Sequence, residues 1–126
     1  MYLIDTNIFL EILLAQERRE ICKKFLNNHI GNLFISDFSL HSIGVILFKN
    51  NKEDIYQKFV IDSLPQTGII TLPKESYKDL AGIKRTTGFD FDDAYQFVIA
   101  KERDLEIVTM DKDFERAKNV VKVLFL

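Results

Sequence analysis

Apolar positions in this chain fall in short blocks whose spacing switches between two periods. Tyr2-Leu3-Ile4 is an unbroken apolar run that opens onto Asp5-Thr6-Asn7, three good helix-capping types. Ile8, Phe9, Ile12 and Leu13 then recur at helical spacing, so the opening reads as strand, tight turn, helix. From Glu17 to Asn28, the positions Ile21, Cys22, Phe25 and Leu26 mark a second amphipathic helix, with Cys22 on its apolar face as a core residue. Gly31-Asn32 breaks that helix, and Leu33-Phe34-Ile35 predicts a short buried strand. Ser36-Asp37 caps a third helix that runs through Leu40, Ile43 and Leu47 to Phe48. Asn50-Asn51 interrupts it, and Ile55, Phe59, Val60 and Leu64 predict a fourth helix ended by Pro65.

The second half repeats the alternation. Gly68 to Leu72 is β-rich, and Pro73 suits the first turn of a helix carried by Tyr77, Leu80 and Ile83 to Thr87-Gly88. A further helix runs through Ala94, Tyr95, Val98 and Ile99. Glu106 to Met110 reads as the fourth strand, Phe114 and Ala117 as a short helix, and Val120 to Leu126 as the fifth strand. Strands alternating with helices predict an α/β fold, three layers deep, with a central mainly parallel sheet of about five strands. The 126 residues contain no repeat or linker and suit a single domain, 1–126. One cysteine and two histidines, His29 and His41, are too few for a disulfide or a zinc cluster. The opening residues lack the basic and small-residue pattern of a signal peptide, and no apolar run reaches the ~20 residues of a membrane span. A cytoplasmic protein with no membrane partner is the expectation.

Charge is unevenly distributed, and the unevenness points to a place. Residues 88–115 hold 3 basic and 9 acidic residues, while 116–126 hold 3 basic and none acidic. In α/β sheets, ligands bind beyond the carboxyl ends of the strands. Two of the first four strands run straight into aspartate there, at Asp5 and at Asp111-Lys112-Asp113. Asp90, Asp92 and Asp93 precede or open the helix of Ala94. At 100° per residue Asp93 shares a stripe with Phe97 and Ala100, so it faces inward or into a cleft. Asp92 shares its side with Gln96 and Arg103 and is expected to be more exposed. An acid on a semi-buried stripe needs a partner, and a divalent cation shared with Asp5 and Asp111 supplies one. Converging carboxylates without histidine or thiolate select a hard cation, Mg²⁺ or Mn²⁺. That donor set suits metal-assisted phosphodiester hydrolysis.

Tyr2-Leu3-Ile4-Asp5-Thr6-Asn7, Asp93-Ala94-Tyr95-Gln96-Phe97-Val98-Ile99-Ala100 and Ile107-Val108-Thr109-Met110-Asp111-Lys112-Asp113-Phe114 together resemble the PIN-domain ribonucleases, especially the VapC-like toxins of toxin–antitoxin pairs. The resemblance implies a Mg²⁺- or Mn²⁺-dependent endoribonuclease that leaves 5′-phosphate and 3′-hydroxyl ends. It implies Asp5, Asp93 and Asp111 as metal ligands and Asp113 as an auxiliary catalytic acid. It also implies a homodimer and a small antitoxin as protein partners. Thr6, Asn7 and Thr109 are candidates to contact phosphate or ordered water, and Lys84, Arg85 and Lys112 to contact RNA. In one place the pattern departs: Ser42 stands where such proteins usually carry a glutamate, with Asp90 among the acids that could compensate. The departure motivates an alternative reading, a catalytically weakened module that binds RNA or protein. An aspartyl-phosphate receiver also places an aspartate after strand one, but the further residues it needs are not found.

Overall fold

The computed structural model describes residues 1–126. In chain order the elements are β1 (Tyr2–Ile4), α1 (Thr6–Leu13), α2 (Arg19–Asn28), β2 (Leu33–Ser36), α3 (Asp37–Lys49), α4 (Glu53–Asp62) and β3 (Gly68–Ile70), then α5 (Leu80–Thr87), α6 (Phe91–Arg103), β4 (Glu106–Thr109) and β5 (Val123–Phe125). Turns of 3₁₀ helix occupy Leu64–Gln66, Lys74–Asp79 and Lys112–Ala117. The strands lie in the order β3-β2-β1-β4-β5 and every pair is parallel. The expected mainly parallel sheet is thus wholly parallel. Each strand is short and apolar on both faces, as a sheet covered by helices on both sides requires.

Side-chain alternation splits the core in two. Ile4, Ile35 and Val108 point to one face and pack with Ile8 and Phe9 of α1, Cys22 of α2, Ile43 and Leu47 of α3 and Phe59 of α4. Leu3 and Ile107 point to the other, against Leu80 of α5, the body of α6 and Phe114. Helix α6 is buried without a break from Ala94 to Ala100, so it has no solvent stripe in its middle turns. No other helix buries as many residues, and it carries Asp93.

Several predicted boundaries move, each for a local reason. Helix α2 starts at Arg19 and not Glu17, where the Arg18 N–H donates to Glu11 Oε2 at 2.7 Å and fixes the turn out of α1. Strand β3 ends at Ile70, because the Leu72 N–H leaves the ladder to donate to the Tyr95 hydroxyl at 3.1 Å. Pro73 precedes a 3₁₀ turn, and the α-helix proper begins only at Leu80. The short helix of Phe114 is also 3₁₀, and the last strand is confined to Val123–Phe125. Gly88 ends α5 with φ +76°, the left-handed cap that a side chain would disfavour, and turns the chain toward α6.

Candidate active site

The strand order reverses at β1: β2 and β3 follow on one side, β4 and β5 on the other. In parallel sheets of this kind ligands bind beyond the carboxyl ends of the strands at the switch point, here the ends of β1 and β4. Ile4 pairs with Val108, so Asp5 leaves β1 directly beside Thr109. Asp5 caps α1, its Oδ1 accepting the Thr6 N–H at 2.8 Å, and its Oδ2 accepts the Thr109 hydroxyl at 2.7 Å. The same Thr109 oxygen accepts the Asp111 N–H at 2.9 Å. One fully buried hydroxyl thereby ties the carboxylate after β1 to the loop after β4. Burial pushes the Asp5 carboxyl above its usual range, the bonds from Thr109 and Thr6 pull it back, and the Asp111 charge adds a smaller push upward.

Asp111 opens the following 3₁₀ turn, its Oδ1 accepting the Asp113 N–H at 2.9 Å. Asp93 lies in the first turn of α6, its N–H donating to the capping Asp90 Oδ1 at 3.0 Å. Ligand oxygens of Asp93, Asp111 and Asp113 all lie within 4.8 Å of one another. Asp93 is half-buried, and its carboxyl is pushed up to about 7, first by burial and then by the charges of Asp90, Asp111, Asp5 and Asp113. Arg116 approaches the cluster at 3.9 Å from Asp113, as an exposed pair that solvent screens. This is an all-oxygen donor set with excess negative charge, and its chemistry suits a hard divalent cation.

The predicted residues separate into distinct positions. Asp93, Asp111 and Asp113 form the tight group; Asp5 is more deeply buried, outside that group but close enough to act on Asp93. Asp92 is exposed and Asp93 half-buried, as the helical wheel implies, but Gln96 on the Asp92 side is only 3% exposed. The wheel fails for Gln96 because the surrounding elements enclose the middle turns of α6, Ala94 to Ala100. The Gln96 amide donates to Ser39 Oγ at 2.7 Å, and Ser39 also accepts the Thr6 hydroxyl at 2.7 Å. Thr6 and Thr109, expected to meet phosphate or water, thus have their hydroxyls engaged inside the protein. Asn7 is exposed at the start of α1, and Asp90 is exposed and caps α6. Ser42 is half-buried, one turn beyond Ser39 on α3. Lys84 and Arg85 are exposed in the last turn of α5, and Lys112 is exposed between Asp111 and Asp113.

Gln96 and Ser39 are the site-supporting residues that the sequence reading missed. The one signal available was a glutamine and a serine embedded in otherwise apolar helical runs. A separate cavity of about 460 Å³, lined by Met1, Tyr2, Glu106 and Lys122 among others, lies at the amino-terminal edge of β1 and β4, away from the carboxylates.

These features define a parallel α/β domain with an acidic centre at its switch point. The PIN-domain family model matches residues 2–120, and the chain belongs to that family. Solved structures share the fold. FitAcB from Neisseria gonorrhoeae is 22% identical, with 100% of this chain and 97% of that one covered and a TM-score of 0.79. A VapBC complex from Rickettsia felis, bound to a DNA fragment from its promoter, is 20% identical over 98% and 97% of the two chains, with a TM-score of 0.79. A sarcin–ricin-loop-cleaving VapC toxin from Mycobacterium tuberculosis is 16% identical over 98% of each chain, again with a TM-score of 0.79. No curated protein sequence matches the chain. No helix is long and apolar enough to cross a membrane.

Proposed function

We propose that this chain is a Mg²⁺- or Mn²⁺-dependent endoribonuclease acting as the toxin of a toxin–antitoxin pair. The observation that carries the reading is the convergence of Asp93, Asp111 and Asp113 within 4.8 Å, with Asp5 buried beside them, at the switch point of a PIN-domain sheet. Asp93 and Asp111, with Asp5, would hold the ion. When bound, the ion would polarise the phosphoryl group and lower the pKa of an attacking water. The Asp93 carboxyl, pushed up to about 7 in the metal-free protein, would be held in its ionised form by a cation bound beside it. Asp113 is exposed and accepts a hydrogen bond from the attacking water, orienting it toward phosphorus. Thr109 holds the Asp5 and Asp111 segments in register, so the carboxylates need not reorganise during the reaction. Lys84, Arg85 and Lys112, all exposed, would meet flanking phosphates, contacts that position RNA without reading its sequence. Cleavage breaks the bond from phosphorus to the 3′ oxygen, leaving 5′-phosphate and 3′-hydroxyl ends.

A small antitoxin and a second copy of the chain are the proposed protein partners, by analogy with the complexes that share the fold, and the cytoplasm is the proposed location. The gathering of Asp93, Asp111 and Asp113, with Asp5 beside them, favours this reading over the weakened binding module suggested by Ser42. Without a cation, such a group only repels itself. The test is cleavage of a mixed pool of structured and single-stranded RNA by purified protein. Cleavage is expected in Mn²⁺ or Mg²⁺ and not in chelator, and is lost in Asp93→Asn with its fold retained. RNA cut equally well in chelator would overturn the metal mechanism.

A further inference from the structure

Among the buried side-chain nitrogen and oxygen atoms, Gln96 Oε1 alone has no hydrogen-bond partner. Gln96 lies one turn after Asp93 on α6 and is 3% exposed. The other end of its amide is engaged. Nε2 donates to Ser39 Oγ at 2.7 Å, and a hydrogen bond from the same side chain draws the Asp5 carboxyl downward. Ser39 is fully buried and held in place: its hydroxyl meets those of Thr6 at 2.7 Å and Ser36 at 3.1 Å, and its N–H donates to Ser36 Oγ at 3.0 Å. Charge fixes which way round the amide sits, because the NH₂ end suits the Asp5 carboxylate and the carbonyl end would be repelled by it. Oε1 is therefore a fixed acceptor, on an amide that bonds Asp5, with nothing donating to it. A buried oxygen left in that state is costly.

We propose that Gln96 Oε1 is a ligand of the divalent cation held by Asp5, Asp93 and Asp111, the one neutral oxygen in an otherwise acidic set. The inference rests on the metal-dependent reading of the site and adds to it a ligand that is not an acid. Three features support it. Hard cations take carbonyl oxygens alongside carboxylates. Positions three apart on a helix are neighbours, so Gln96 adjoins Asp93 on its own helix and bonds Asp5 from another element. Helix α3 offers no acid where Gln96 meets it: Ser39 is followed one turn later by the half-buried Ser42, whose hydroxyl is short and neutral. A cation would satisfy Oε1 and the carboxylates together, and Oε1 adds no further negative charge to a cluster that already repels itself.

The test binds Mn²⁺ to the full chain carrying glutamine labelled with ¹³C at the side-chain carbonyl and records electron–nuclear double resonance. The other glutamines, Gln16, Gln57 and Gln66, are exposed. A strong ¹³C coupling to Mn²⁺ is expected in wild type and should vanish in Gln96→Leu. By calorimetry Gln96→Leu should bind Mn²⁺ at least about tenfold more weakly. In chelator it should melt no lower than wild type, since leucine removes the stranded oxygen. Gln96→Glu, which keeps an oxygen and loses the donor, should bind Mn²⁺ at least as tightly as wild type. Should Gln96→Leu fail to fold, the wild-type spectrum decides alone. Mn²⁺ bound by wild type without ¹³C coupling, or bound equally well by Gln96→Leu, would overturn the inference and leave the ribonuclease reading standing; a buried water would then be the partner of Oε1. Gln96→Glu binding as weakly as Gln96→Leu would also overturn it, reducing Gln96 to a donor that orients Asp5. Coupling in a wild type that cuts no RNA in Mn²⁺ would retain the ligand and refute the ribonuclease reading. A wild type that takes up no Mn²⁺ would refute both.

Discussion

Asp93→Asn replaces a carboxylate whose pKa is strongly raised with a neutral side chain of the same shape. In the folded, metal-free protein the Asp93 carboxyl titrates at about 7, against about 3.9 in an unfolded chain. The folded state therefore holds this proton more tightly. Below pH ~4 both states are protonated and Asp93 costs nothing. From pH ~4 to ~7 the folded protein loses stability as pH rises, and above ~7 the loss is constant. Three pH units correspond to ~4 kcal/mol, but Asp93 is only half-buried and solvent screens its neighbours, leaving ~1–2 kcal/mol. In chelator, Asp93→Asn should match wild type near pH 4. At pH 8 it should exceed wild type by that ~1–2 kcal/mol, or ~3–10 °C in melting temperature for a domain of this size. Saturating Mn²⁺ should reverse the order at pH 8, because a ligand at a hundred times its Kd stabilises the folded wild type by ~2.7 kcal/mol. Urea unfolding at pH 4, 6 and 8, with and without Mn²⁺, measures all of this. A stability difference independent of pH in chelator, or an order unaffected by Mn²⁺, would refute the electrostatic account of the cluster.

Asp5→Asn should reduce metal-dependent RNA cleavage at least about a hundredfold while the metal-free fold is kept or slightly stabilised, as gel assays and thermal melts would show. Thr109→Val keeps the shape but strands Asp5 Oδ2 and the Asp111 N–H; it should cost ~2–4 kcal/mol in urea unfolding and weaken Mn²⁺ binding by calorimetry. Asp111→Asn should shrink the Mn²⁺-induced rise in melting temperature more than Asp92→Asn does, because Asp92 is exposed and outside the group of three. Ser42→Glu should melt below wild type in chelator and show a larger shift with Mn²⁺; unchanged Mn²⁺ affinity would remove Ser42 from the vicinity of the ion.

Local pattern determined the elements of this protein and the strand ends that carry acids. The apolar blocks Tyr2–Ile4, Leu33–Ile35 and Ile107–Thr109 could only be strands covered on both faces, and Asp5 and Asp111 had to follow two of them. Helical period alone separated the half-buried Asp93 from the exposed Asp92, since that distinction falls in the first turn of α6, where one side still meets solvent. Beyond that turn the same reasoning broke down. Gln96 is buried because the middle turns of α6 are enclosed on all sides, and no period within the helix encodes what lies outside it. Strand order was equally invisible in the sequence. Only the placement of β4 beside β1 brings Thr109 to Asp5 across 104 positions of chain, and only the packing of α6 against that edge brings Asp93 to Asp111 and Asp113. Sequence fixes which side chain leaves which strand end; the distances between carboxylates, and hence the pKa of Asp93, depend on how separate elements pack.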